Sequence, residues 1–184
     1  MIENLTFNVA QLLKEPIGAV RAGQVAADVR RLAPELAQAD STVELAMTGP
    51  MRLTHTDGGV LVQGALTSQA VLPCSRCLEP VALTLEIELE EVFAQTVDVL
   101  TGQAITPEED DRALWIDDRH LLDLGEVLRQ NALVAAPMHP LCRPDCRGLC
   151  VICGQNLNEE TCTCEAEPDA RWAILAKLLQ NNES

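Results

Sequence analysis

The strongest constraint on this chain is the placement of its cysteines. Of eight cysteines in 184 residues, six fall between Leu141 and Cys164, in LCRPDCRGLCVICGQNLNEETCTC. The other two, Cys74 and Cys77, form CSRC far upstream, and Cys150 and Cys153 repeat that spacing as CVIC. A two-residue gap lets a tight turn aim both sulfurs at one tetrahedral ion while the turn's amides donate to them. Gly154, directly after Cys153, suits such a knuckle because the residue there often needs positive φ. If every thiol is to serve a metal site, the fold has to gather distant segments at shared points.

Three other uses of the thiols fit less well. Structural disulfides need an oxidising compartment, and MIENLTFNVAQLLKEP lacks the basic start and unbroken apolar stretch of a secretory leader. A thioredoxin-like redox motif needs its C-x-x-C at the start of a helix in a βαβ unit, whereas Cys74 falls between two strand patterns and Cys150 in a loop. Cys146, Cys150 and Cys153 have the C-x-x-x-C-x-x-C spacing of radical S-adenosylmethionine enzymes, but only 31 residues follow Cys153, too few for the barrel such enzymes need. We therefore expect structural zinc, two ions in all. Cys150, Cys153, Cys162 and Cys164 lie close enough to close one site locally, which leaves Cys142 and Cys146 for Cys74 and Cys77. That second site pins a hairpin to a segment more than 60 residues away and restricts the unfolded chain. The other pairing joins Cys142, Cys146, Cys150 and Cys153 and leaves Cys74 and Cys77 spare. We favour the first because it gives every thiol a role.

A site of four thiolates has no open position for Lewis-acid chemistry. His55, His120 and His139 are far apart in sequence and read as ordinary polar residues, although His139 stands near Cys142. There is no P-loop, nucleophile elbow or dinucleotide fingerprint. The expectation is a protein that is not an enzyme. A metal-dependent or thiol redox enzyme is the alternative, and only the cysteines speak for it.

Hydrophobic residues make up 47% of the chain, enough for a sizeable core, but with two Trp, two Phe and no Tyr that core must be aliphatic. Net charge is −15. Between Glu79 and Glu126, 14 acidic residues stand against Arg112 and Arg119, a local balance of −12. Such a stretch reads as a solvated face or as a docking surface for a basic partner. No uncharged run is long enough to cross a bilayer. We expect a cytoplasmic protein with no membrane association and no small-molecule substrate.

Leu5, Phe7 and Val9 alternate as a short opening strand, and the stretch up to Pro34 is ambiguous. Val43, Leu45 and Met47 alternate, then Met51, Leu53 and His55. Asp57-Gly58-Gly59 is a hairpin signal, with Val60, Val62 and Leu66 beyond it. The clearest strand is Val81, Leu83, Leu85, Ile87, Leu89, interleaved with Thr84, Glu86, Glu88 and Glu90. Residues 101–111 read as an exposed acidic loop. Leu121 to Val134 has helical spacing, with Asp123 as a candidate cap, Glu126 three residues on, and Pro137 and Pro140 after its end. Pro168 and Asp169 open a final short helix with Trp172, Leu175, Leu178 and Leu179 on one face. These patterns predict an α+β fold. A curled, barrel-like antiparallel sheet with a helix packed on it would occupy residues 1–140. A zinc-bound, cysteine-rich module ending in a short helix would occupy residues 141–184.

CSRCLEP, the acidic strand after it and PLCRPDCRGLCVICGQNLN together resemble the YceD family, in motif order and in separation, over roughly Leu45 to Trp172. The resemblance implies a role in accumulation of the large-subunit ribosomal RNA, hence in ribosome assembly, in a bacterial cytoplasm or a plastid, with no established enzymatic activity. Some members keep the knuckle, lose the later cysteines and have histidines near the positions of Cys142 and Cys146, which implies that those two group with Cys74 and Cys77. The expected partner is a ribosome assembly intermediate, through either the RNA or a basic ribosomal protein. Arg76, Arg143, Arg147 and Arg171 are the candidate RNA-facing residues, three of them inside the cysteine motifs. Against direct RNA contact stand the acidic balance and the near absence of aromatics for base stacking. The strand carboxylates Glu86, Glu88 and Glu90 are the candidate surface for a basic protein.

Overall fold

The computed structural model describes residues 4–37, 45–107 and 111–164. Its centre is a sheet of five strands in the order β2 (Val20–Asp28), β3 (Ala46–Thr56), β4 (Gly59–Pro73), β5 (Pro80–Gln95) and β6 (Trp115–Ile116). A second sheet pairs β1 (Thr6–Asn8) with β7 (Leu121–Asp123). The helices are α1 (Ala10–Leu13), α2 (Val29–Leu32) and α3 (Gly125–Ala135). The fold is α+β with a mostly sheet core, as expected.

Two features of the sheet correct the expectation. It does not close into a barrel: β2 and β6 lie at opposite edges. Helices and the β1–β7 pair supply the apolar residues against the inner face, such as Leu12, Leu122, Leu124 and Leu128, so that face is buried without strand closure. The sheet is also not wholly antiparallel, because β6 joins β5 in parallel through Ala94–Trp115 and Gln95–Ile116.

Alternation sets the strands. Along β5, Leu85, Ile87, Leu89 and Phe93 are buried, while Glu86, Glu88 and Glu90 are exposed. The inner residues join Met47, Met51, Val60, Val62 and Leu66 in one aliphatic core. The outer face sets Glu86 opposite Thr67, Glu88 opposite Ala65, and Glu90 opposite Gln63, whose amide donates to the Glu90 carboxylate at 3.3 Å. The hairpin turns at Asp57-Gly58, with Thr56 paired to Gly59.

Other differences have local causes. The two short alternating stretches flanking Gly49-Pro50 are one strand. β3 runs through the proline, which pairs with Gln24 on β2, and the β3–β4 register skips residues 49 and 50 because proline has no N–H to give a ladder. Val43 lies outside the described residues. β2 hid in the ambiguous stretch because VRAGQVAAD is rich in small residues and only its second half is buried. The expected helix from Leu121 is divided: Leu121–Asp123 pairs with β1, and the helix begins at Gly125. The Asp123 carboxylate accepts from the Gly125 N–H at 2.9 Å, but Glu126 turns to Arg129 and Gln130 instead of closing a capping box. Residues 101–106 of the expected acidic loop are exposed, and its residues 108–110 lie outside the described residues. The final helix with Trp172, and Arg171 beside it, lie outside the described residues. Among the described residues no helix is long and apolar enough to cross a membrane.

Candidate metal centres

β4 and β5 are joined by the turn that carries Cys74 and Cys77. The Leu78 N–H donates to the Cys74 carbonyl at 3.0 Å, and the Cys74 N–H to the Glu79 carbonyl at 2.8 Å. The second knuckle repeats these bonds: Gly154 N–H to Cys150 carbonyl at 2.9 Å, and Cys150 N–H to Gln155 carbonyl at 2.8 Å. Leu78 and Gly154 hold the same place, each left-handed, at φ 63° and 75°. The positive φ expected of Gly154 is present. Leu78 adopts it without glycine's freedom, at a cost in backbone strain.

The eight sulfurs form two groups: Cys74, Cys77, Cys142 and Cys146, and Cys150, Cys153, Cys162 and Cys164. Within each group all sulfurs lie within 4.8 Å of one another. This is the grouping favoured from spacing. Cys74 Sγ is 3.8 Å from Cys146 Sγ, and Cys77 Sγ is 3.6 Å from Cys142 Sγ. Four thiolates around one tetrahedral ion, at bonds of about 2.3 Å, stand about 3.8 Å apart, so either group could hold a metal ion. His139 belongs to neither group. The Nδ1 of His55 lies 2.7 Å from the Glu15 carbonyl, a structural bond.

The groups differ in setting. Cys74, Cys77 and Cys146 are buried against Val81, Leu141 and Leu149, in a small cluster separate from the sheet core. In the second group only Cys150 is buried, and Cys153 and Cys164 are exposed. Within each group the thiols are driven apart in acidity. The Cys77 amide, followed by those of Arg76 and Cys142, brings Cys74 down to about 6, while burial and the three neighbouring thiols push Cys142 up to about 12. The amides of Cys153 and Ile152 bring Cys150 down to about 6, while the Cys153 thiol, burial and Cys150 push Cys164 up to about 12. Four thiolates cannot ionise together without a cation. A dication removes that conflict, as the donor set of a closed metal site requires.

The arginines are placed unequally. Arg76 Nη1 donates to the Cys146 carbonyl at 2.8 Å, locking the first knuckle to the later segment. Arg143 reaches the Asn158 carbonyl at 3.4 Å and Asp145 at 3.8 Å. Arg147 is exposed, and its backbone N–H is held by Asn158. Arg76, Arg143 and Arg147 thus sit around the first group.

Sequence reading passed over two asparagines. The Asn158 side-chain amide donates to Cys146 Sγ at 3.3 Å and to Asn156 Oδ1 at 2.8 Å. Both asparagines stand in the GQNLN stretch between the second knuckle and its last two cysteines. Their two-residue spacing beside a knuckle was the available signal.

The family described as "Large ribosomal RNA subunit accumulation protein YceD" matches residues 62–179. The chain belongs to the YceD family. Both cysteine groups lie inside that match. An uncharacterized protein of Mycobacterium tuberculosis is 31% identical, over 95% of this chain and 81% of its own length. One of Mycobacterium leprae is 26% identical, over 97% and 79%. The maize protein named "Large ribosomal RNA subunit accumulation protein YCED homolog 1, chloroplastic" is 26% identical, over 75% of this chain and 57% of its own length. No solved structure matches.

Proposed function

We propose that this protein is a non-catalytic, cytoplasmic zinc protein that supports accumulation of the large-subunit ribosomal RNA during ribosome assembly. The observation that carries the metal part is the pair of four-thiol groups, each built on a C-x-x-C knuckle. Membership of the YceD family carries the ribosomal part. Zinc is favoured over iron–sulfur because sulfurs within 4.8 Å of one another suit one small ion. A cluster with several irons and its own sulfides holds its cysteines farther apart. Four thiolates leave no open coordination position, which argues for a structural role and against metal-dependent hydrolysis. In this reading residues 141–184 are the metal module and residues 1–140 the body that carries it.

One observation favours a basic ribosomal protein over RNA as the direct partner. Arg76 and Arg143 already hold the metal module together, and two four-thiolate zinc centres add negative charge beside them. The row Glu86, Glu88, Glu90 is exposed on β5 and suits cationic side chains. Depleting the protein should lower large-subunit RNA relative to small-subunit RNA. An unchanged ratio with a normal subunit profile would defeat the ribosomal reading. Metal analysis with a thiol count tests the zinc reading separately from the redox alternative.

A further inference from the structure

The two cysteine groups are adjacent, and one side chain joins them. Asn158 lies in the loop between Cys153 and Cys162, which the second group closes at both ends. Its amide donates to Cys146 Sγ, a sulfur of the first group, at 3.3 Å. Its Oδ1 accepts from the Arg147 N–H at 2.8 Å, next to that same cysteine. The loop is also fastened by backbone: the Leu157 N–H donates to the Gly148 carbonyl at 2.9 Å, and Leu149 bridges Asn156. The Leu149 N–H in turn donates to the Arg76 carbonyl of the first knuckle at 3.1 Å.

We infer that Asn158 is a positioning residue that couples the two metal sites, so that filling the second strengthens metal binding at the first. This deepens the zinc reading and rests on it. An amide N–H aimed at a thiolate stabilises the charged sulfur the ion needs, and it holds that sulfur's direction. Loss of such an outer partner commonly weakens metal binding 10–100-fold. The donor is carried by a loop that backbone bonds to Gly148 and Leu149 hold in part and that the second group's own ligands close at both ends. Filling the second site therefore completes the surroundings of the first. Coupling of this kind is reciprocal, so filling the first site strengthens the second by the same factor.

The test uses the full chain and zinc itself, by chelator competition, with cobalt substitution to follow the sulfur ligand field. Metal analysis of the unmodified protein comes first, and fewer than two ions would defeat the zinc reading itself. With two ions bound, Cys162→Ser should weaken the remaining first site about 10-fold or more. Cys77→Ser should weaken the remaining second site by a like factor. Asn158→Asp keeps the acceptor for Arg147 and the backbone N–H bond to Asn156, but its carboxylate has no N–H for Cys146 or for Asn156 Oδ1. It should weaken the first site at least as much as Cys162→Ser does and shift the cobalt–thiolate absorption. First-site affinity unchanged in Asn158→Asp would overturn the role of this residue. First-site affinity unchanged in Cys162→Ser would overturn the coupling.

Discussion

Gly148 faces the Arg76 backbone so closely that a Cβ added to it would lie 3.0 Å from the Arg76 carbonyl oxygen. This contact seats the later cysteine segment on the β4–β5 knuckle. Gly148 is also left-handed, at φ 76°, so a side chain there meets both backbone strain and a wall. Gly154 has nearly the same φ, 75°, but open space around its Cβ position. Gly154→Ala should cost about 1–2 kcal/mol, the strain alone. Gly148→Ala should cost more and weaken metal retention at the first group. Thermal unfolding of the two variants side by side checks this, and equal losses would mean the close approach does not matter.

Metal removal should open the module and spare the sheet. The cluster of Cys74, Cys77 and Cys146 is separate from the aliphatic core under the strands. Chelation should therefore expose the bonds after Arg76 and Arg147 to trypsin, while the far-ultraviolet spectrum of the sheet persists. Arg143 is followed by proline and should resist in either state. Loss of the sheet signal together with the metal would show that the core depends on the module.

Ser68 is fully buried on β4, between Met47 and Leu85, and its hydroxyl has no hydrogen-bond partner among the described residues. An unpaired buried hydroxyl opposes folding, so Ser68→Ala should raise stability by about 1 kcal/mol. Phe93, fully buried in the same core, provides the contrast, because Phe93→Ala should cost about 3–5 kcal/mol. Denaturant melts of both variants check the two signs, and a destabilised Ser68→Ala would reveal a partner for the hydroxyl.

The carboxylates of Glu86, Glu88 and Glu90 share one exposed strand face and can change without touching the core. Replacing all three with glutamine should leave the melting temperature nearly unchanged. If a basic protein docks there, its capture should weaken and lose much of its dependence on salt. Undiminished capture would reduce the row to a solubility feature.

Two kinds of information in the chain worked at short range. Strict alternation from Val81 to Leu89 determined both the strand and its buried face, because β side chains reverse direction at every residue. The two C-x-x-C spacings determined the knuckles, because a two-residue turn has few ways to point both sulfurs at one place. The grouping of eight thiols into two fours was legible from count and spacing, and the geometry agrees.

What tertiary structure decided depended on segments distant in sequence. β2 is a strand because β3 offers it nine paired positions, not because its small residues prefer one. Leu121–Asp123 leaves the helical pattern because β1 pairs with it and gains backbone bonds a helix start could not supply. The sheet stays open because helices and the β1–β7 pair cover its inner face, a choice no single strand records. Asn158 reaches Cys146 because the 11 residues between them fold back through the second knuckle. Local pattern set the pieces, and burial shared between remote segments set how they met.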